Sequence, residues 1–246
     1  MTLSPERYIE AIATESRAFA GAARRDLDAT VPSCPEWSVR DLVEHLGEVQ
    51  RFWTEIASRG ITDPAELGDW DETREKPPQG TDVVEWFEGG ARALVDLLAV
   101  LDLERRIWTW SRERTAAFVP RRMAHEASVH RWDAENAVGV AAPVEPDVAA
   151  DGIDELLHVY LLAVAPLEQP PGSSVHVHTT DIEGEWLVRL DEEPVLSREH
   201  AKGDAALRGP ASDVLLALWG RLPPEAVETH GDTKALADLR GFLRLE

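Results

Sequence analysis

Arg121-Arg122-Met123-Ala124-His125-Glu126-Ala127-Ser128-Val129-His130-Arg131-Trp132-Asp133 places a carboxylate and an imidazole, Glu126 and His130, four residues apart. Residues so spaced lie one above the other on a single helix face. Met123, Ala127 and Ala134 share that face, where an ionised Glu is costly unless it is paired or metal-bound. Arg92, Arg105 or Arg122 could supply the pairing. Alternatively, Glu126 and His130 could hold one cation together with His45 from a facing helix. Three protein ligands and an open fourth position is the layout of a catalytic metal site. Asp133 follows His130 by three residues and could accept a hydrogen bond from the ring nitrogen turned away from the ion. His125 and His130 are five apart, one residue too many for the zinc-protease pattern His-Glu-x-x-His, so His125 is not read as a ligand.

Working outward, apolar residues at helical spacing predict a first helix over about Pro5–Leu27. Residues Val31–Trp37 read as a loop. Ser38 reads as an N-cap with Asp41 in the acidic position three residues on, opening a second helix from Val39 to Ser58. His45 falls on the edge of that helix's broad apolar face, between the directions of Phe52 and Ile56. Thr62 to Gly80 is rich in Asp, Glu, Pro and Gly and reads as a surface loop. Thr81-Asp82 caps a third helix reaching about Leu101, and a fourth runs from near Val119-Pro120 to about Ala137. Four such helices in order predict a four-helix bundle.

The pattern changes beyond residue 140. Asp147 to Ala165 reads as a further helix, followed by a break at Gln169-Pro170-Pro171-Gly172-Ser173-Ser174. Val175–Thr179 and Trp186–Leu190 alternate around Glu183-Gly184 and predict a hairpin. Asp204–Gly209 could add a strand, and helices are expected from Ser212 to Leu218 and from Thr233 to Phe242. The expectation is an α+β chain, with a helical bundle over 1–143 and a small α+β domain over 144–246. His176 and His178 alternate on the first strand and read as a solvated face.

Composition narrows the class. The chain has 246 residues, 43% of them hydrophobic, and a formal charge of −21. Phosphate binding needs a basic face, so neither nucleic acid nor an anionic membrane surface is expected as a partner. Residues 1–7 read as the start of a helix rather than a leader, and the apolar run from Leu156 to Leu167 is too short to span a bilayer. A cytoplasmic protein is expected. Cys34 is the only cysteine, which rules out an internal disulfide and a cysteine-built zinc site; it reads as a small buried side chain. Gly-rich phosphate loops and a Gly-x-Ser-x-Gly elbow are absent.

Two stretches resemble a known family. Val31-Pro32-x-Cys34-Pro35-x-Trp37-Ser38-Val39-x-Asp41-Leu42-Val43-x-His45-Leu46, followed by Glu126-x-x-x-His130-x-x-Asp133, is similar to the mycothiol-dependent maleylpyruvate isomerase family. That family belongs to the DinB-like metal-binding four-helix bundles. Leu207-x-Gly209-x-Ala211-Ser212-Asp213-Val214-Leu215-Leu216-x-Leu218-x-Gly220-Arg221 resembles the family's C-terminal domain, itself similar to sterol carrier proteins. The resemblance implies that His45, Glu126 and His130 ligate a divalent metal, zinc above all, and that Arg221 is needed for activity and reaches toward the cleft. It further implies mycothiol as thiol cosubstrate and a small electrophilic substrate bearing a carboxylate. In an isomerase the thiolate adds to a cis double bond, rotation follows, and elimination gives the trans product; in an S-transferase the thiolate is consumed.

Two other classes stay open at this point. One is a binding protein whose C-terminal domain carries an apolar ligand beside a vestigial metal site. The other is a structural or regulatory bundle whose Glu126 is neutralised by Arg. The sequence does not select the substrate or the oligomeric state.

Overall fold

Ser4 opens the first helix, α1 (Pro5–Ala23), its hydroxyl accepting from the Arg7 amide. The helix ends four residues short of the expected Leu27, and the chain then forms a short ribbon. Thr30–Val31 (β1) pairs antiparallel with Cys34–Ser38 (β2), so the expected loop over 31–37 is in part a strand. Ser38 then caps α2 (Val39–Arg59) in a full capping box with Asp41. Gly60, left-handed at φ 69°, ends α2, and the Arg105 guanidinium donates to the carbonyls of Ala57, Ser58 and Arg59. These groups are the acceptors a helix end leaves unpaired.

The computed structural model describes residues 2–68, 74–161 and 170–243. Within the expected 62–80 loop, Pro64–Leu67 makes one 3₁₀ turn. Asp82 caps α3 (Val83–Leu98), which stops before Leu101. Helix α4 (Phe118–Ala137) carries Pro120 in its first turn and has almost no exposed face: fifteen of its residues are buried, His125, His130, Arg131 and Asp133 among them. Helix α1 packs along α4 and α3, and α2 along α3 and α4. Phe19, Val39, Leu42, Leu46 and Phe87 form part of their shared core. Arg131 is buried with them and bridges Glu15 of α1 at 2.6 Å and Glu135 at 2.8 Å.

The chain divides into two compact units, Ser4–Ala142 and the part from Pro143 onward. The second unit begins with α5 (Pro146–Glu155), which passes into a π-helical turn over Leu156–Leu161. The remainder of the expected helix to Ala165 lies outside the described residues. A five-stranded sheet follows, built from β3 (Ser174–Thr179), β4 (Glu185–Arg189), β5 (Val195–Ser197), β6 (Ala205–Gly209) and β7 (Glu228–Gly231) in the order β5-β4-β3-β6-β7. Only the β3–β6 pairing is parallel. Helices α6 (Ala211–Leu218) and α7 (Thr233–Leu243) complete the unit. Val175, Val177, Trp186, Val188, Ala205 and Leu207 are buried on one sheet face. The architecture is α+β. No helix among the described residues is long and apolar enough to cross a membrane.

Candidate metal centre

Helices α2 and α4 bring His45, Glu126 and His130 together. Each offers a ligand atom, and the three atoms lie within 4.8 Å of one another. Glu126 Oε1 is 3.3 Å from His130 Nε2 and 3.7 Å from His45 Nε2, while Glu126 Oε2 takes the Arg122 guanidinium at 2.7 Å. The two carboxylate oxygens are thus divided: one to a buried arginine, one to the imidazoles. Burial opposes ionisation of Glu126, but Arg122 and the two imidazoles outweigh it and hold the carboxyl well below its usual range.

His130 points Nδ1 at Asp133 Oδ2, 3.1 Å away, which leaves Nε2 toward Glu126. Asp133 is fully buried and also accepts from the Ser33 hydroxyl at 2.6 Å. Burial disfavours the imidazolium, yet the flanking carboxylates of Asp133 and Glu126 raise the His130 pKa to about 9. The His45 side chain is 34% exposed, against 11% for His130. Its ring lies 5.0 Å from that of Trp37 and 5.2 Å, edge-on, from that of His130. The donor set suits a borderline divalent cation. Two imidazoles and one carboxylate converge, one imidazole is already oriented through its other nitrogen, and His45 leaves a solvent-facing side.

The other singled-out residues lie as follows. His125 is buried against the Tyr8 ring, outside the cluster. Arg122 is the arginine that pairs Glu126; Arg105 instead caps α2. Cys34 is a free thiol, partly buried against the helical core. Arg221 follows α6 and donates to the Trp219 carbonyl at 2.9 Å. Nothing in the sequence singles out Ser33, because the Pro32-Ser33 link between β1 and β2 reads as plain loop. The ribbon pairs Val31 with Cys34 across that two-residue connection.

Comparison with known proteins places the chain in a family. Residues 9–135 match the mycothiol maleylpyruvate isomerase N-terminal domain, and residues 147–238 match the C-terminal domain of the same family. Among solved structures, the chain is similar to a mycothiol-dependent maleylpyruvate isomerase at TM-score 0.64 and 12% identity, covering 95% of this chain and 98% of that one. It is similar to a histidine-to-alanine mutant of a mycothiol-dependent maleylpyruvate isomerase at TM-score 0.61 and 10% identity, with the same coverage. No curated protein matches the chain by sequence. The chain belongs to the mycothiol-dependent maleylpyruvate isomerase family, a family of enzymes.

Proposed function

We propose that this protein is a divalent-metal- and mycothiol-dependent enzyme of the cytoplasm. In this reading it acts as an isomerase or S-transferase on a small electrophile bearing a carboxylate. His45, Glu126 and His130 hold the metal, with zinc the first choice for two imidazoles and one carboxylate. The observation that carries the reading is the division of Glu126: Arg122 occupies Oε2, and Oε1 faces both imidazoles. Bound there, the metal would lower the pKa of a thiol brought to it, so that thiolate is available at neutral pH.

The chain's own residues do the rest. Arg122 fixes the carboxylate rotamer and offsets its charge. Asp133, held by Ser33, fixes the His130 ring so that Nε2 faces inward. Arg221 clamps the substrate's carboxylate through paired hydrogen bonds, a task suited to a planar guanidinium. The nucleophile is the thiol cosubstrate, so no protein cysteine is required.

The Arg122–Glu126 pair also favours a second reading, in which the cluster is a structural ion-pair network in a non-catalytic binding or regulatory protein. Metal analysis of protein purified without tag or chelator, and of its His130→Ala variant, separates the two. The enzyme reading expects zinc at this cluster, lost in His130→Ala with the helical content intact, and turnover of maleylpyruvate or a related unsaturated acid only with mycothiol. Zinc content unchanged by His130→Ala, or none at all after zinc incubation, favours the network.

A further inference from the structure

A second group of metal-ligating side chains lies in the C-terminal unit: His176, His178, Glu185 and His200. Three chain segments build it. His176 and His178 stand two apart on β3, on the face opposite buried Val175 and Val177. Glu185 opens β4 directly across from His178 in the antiparallel register. His200 arrives from the connection after β5, a segment that Arg198 anchors with paired hydrogen bonds of 2.6 and 2.7 Å to the fully buried Asp154. Each of the four offers a ligand atom, and these atoms all lie within 4.8 Å of one another.

The arrangement is more than a solvated face, and the expectation for His176 and His178 is corrected here. The His176 side chain is 11% exposed, and its Nε2 is shielded from solvent with no hydrogen-bond partner, 3.6 Å from Glu185 Oε2. His178 Nδ1 and His200 Nδ1 each stand 2.8 Å from an oxygen of the same carboxylate. One carboxylate therefore serves three imidazoles and satisfies two of them. A buried nitrogen without a partner is costly. A cation centred on the group would accept the lone pair of His176 along with those of its neighbours. A tetrahedral ion with bonds of about 2.0–2.1 Å spaces its ligand atoms by about 3.3 Å; the carboxylate–imidazole separations here are 2.8 to 3.6 Å, and all the ligand atoms lie within 4.8 Å of one another.

We propose that His176, His178, Glu185 and His200 form a second divalent-metal site, selective for zinc-like cations and independent of the α2–α4 cluster. Three imidazoles and one carboxylate disfavour calcium and magnesium, which take oxygen ligands. Four protein ligands make it a closed, structural site. Its ion ties the 198–200 connection to the β3–β4 hairpin.

The test is zinc titration by calorimetry, with metal analysis after gel filtration, on full-length His130→Ala protein. That background removes the first cluster from the count. The expected result is one equivalent of zinc bound at submicromolar Kd, with a raised thermal midpoint. Adding His178→Ala or His200→Ala should lose both effects, while adding His230→Ala should lose neither. His200 lies outside every strand, so His200→Ala tests the site without disturbing the sheet. Circular dichroism in chelator should be the same for all variants. No zinc on the His130→Ala background, or zinc retained when His178 and His200 are both replaced, overturns the proposal.

Discussion

At the scale of single residues, the α2–α4 cluster is governed by where one proton sits. The His130 pKa is raised from 6.5 to about 9 by Asp133 and Glu126 against the effect of burial. In metal-free protein, the stability this imidazolium contributes is full below pH 6.5 and is lost as pH rises through about 9. A metal needs the neutral ring, so zinc binding at pH 7 should expel a proton from His130. Apparent affinity should then rise about tenfold per pH unit until it levels near the His130 pKa. Calorimetry in buffers of different ionisation enthalpy counts that proton; affinity flat between pH 7 and 9 would mean that binding displaces no proton from His130. Ser33→Ala tests the next link, because it takes a 2.6 Å hydrogen bond from Asp133. Zinc affinity should fall, by less than the roughly 10- to 100-fold that losing Asp133, the ring's direct orienting partner, would cost, with little change in fold. Glu126, His130 and Asp133 fall on one side from spacing alone because a helix repeats every 3.6 residues, whereas His45, on another helix, is singled out as their partner by the family resemblance. Ser33 is a hundred residues from Asp133 in sequence, and no local period announces such a contact.

At the scale of elements, helices were easier to read than strands. Ser38 and Asp41 fix the start of α2 through local hydrogen bonds, so sequence places it to the residue. By contrast, β2 contains Pro35 and the turn before it Pro32, which argue against a strand in a central sheet. In a two-stranded ribbon, where a strand is paired on one side only, proline is tolerated. Strand β7 was also missed: all four of its residues, Glu228 to Gly231, are exposed, and no apolar alternation marks them. The approach of α2 to α3 depends on a glycine whose role is likewise legible only in three dimensions. A Cβ on Gly47 would run into the six-membered ring of Trp86. That ring is 7% exposed and carries the Arg51 guanidinium stacked at 3.8 Å, so it has little room to yield. Gly47→Ala raises helix propensity by about 1 kcal/mol, yet overpacking of this kind costs about 1–3 kcal/mol. The clash should win, and the urea midpoint should fall. A raised midpoint would mean that the ring moves freely.

At the scale of the whole molecule, the α+β class and the change of pattern near residue 140 were readable because helical and alternating periods differ. The convergence of His176, His178, Glu185 and His200 was not, since it needs the sheet register and the course of the chain after β5. Net charge is the one global property that sequence states outright, and it bears on stability. At −21 the folded chain repels itself. Opposing this are exposed ion pairs such as Arg24–Glu88, whose side chains are 46% and 33% exposed, and pairs of that kind contribute about 0–1 kcal/mol each. Raising salt from about 0.01 to 0.15 M shortens the screening length from about 30 to 8 Å. That change removes most long-range repulsion between carboxylates spread over the surface. It acts less on the short Arg24–Glu88 contact, and least on the buried Arg131 pairs with Glu15 and Glu135. The thermal midpoint of metal-free protein should therefore rise with sodium chloride over this range. A midpoint that falls would mean that close ion pairs outweigh the excess negative charge, and that the acidic surface is arranged around its cations rather than merely acidic.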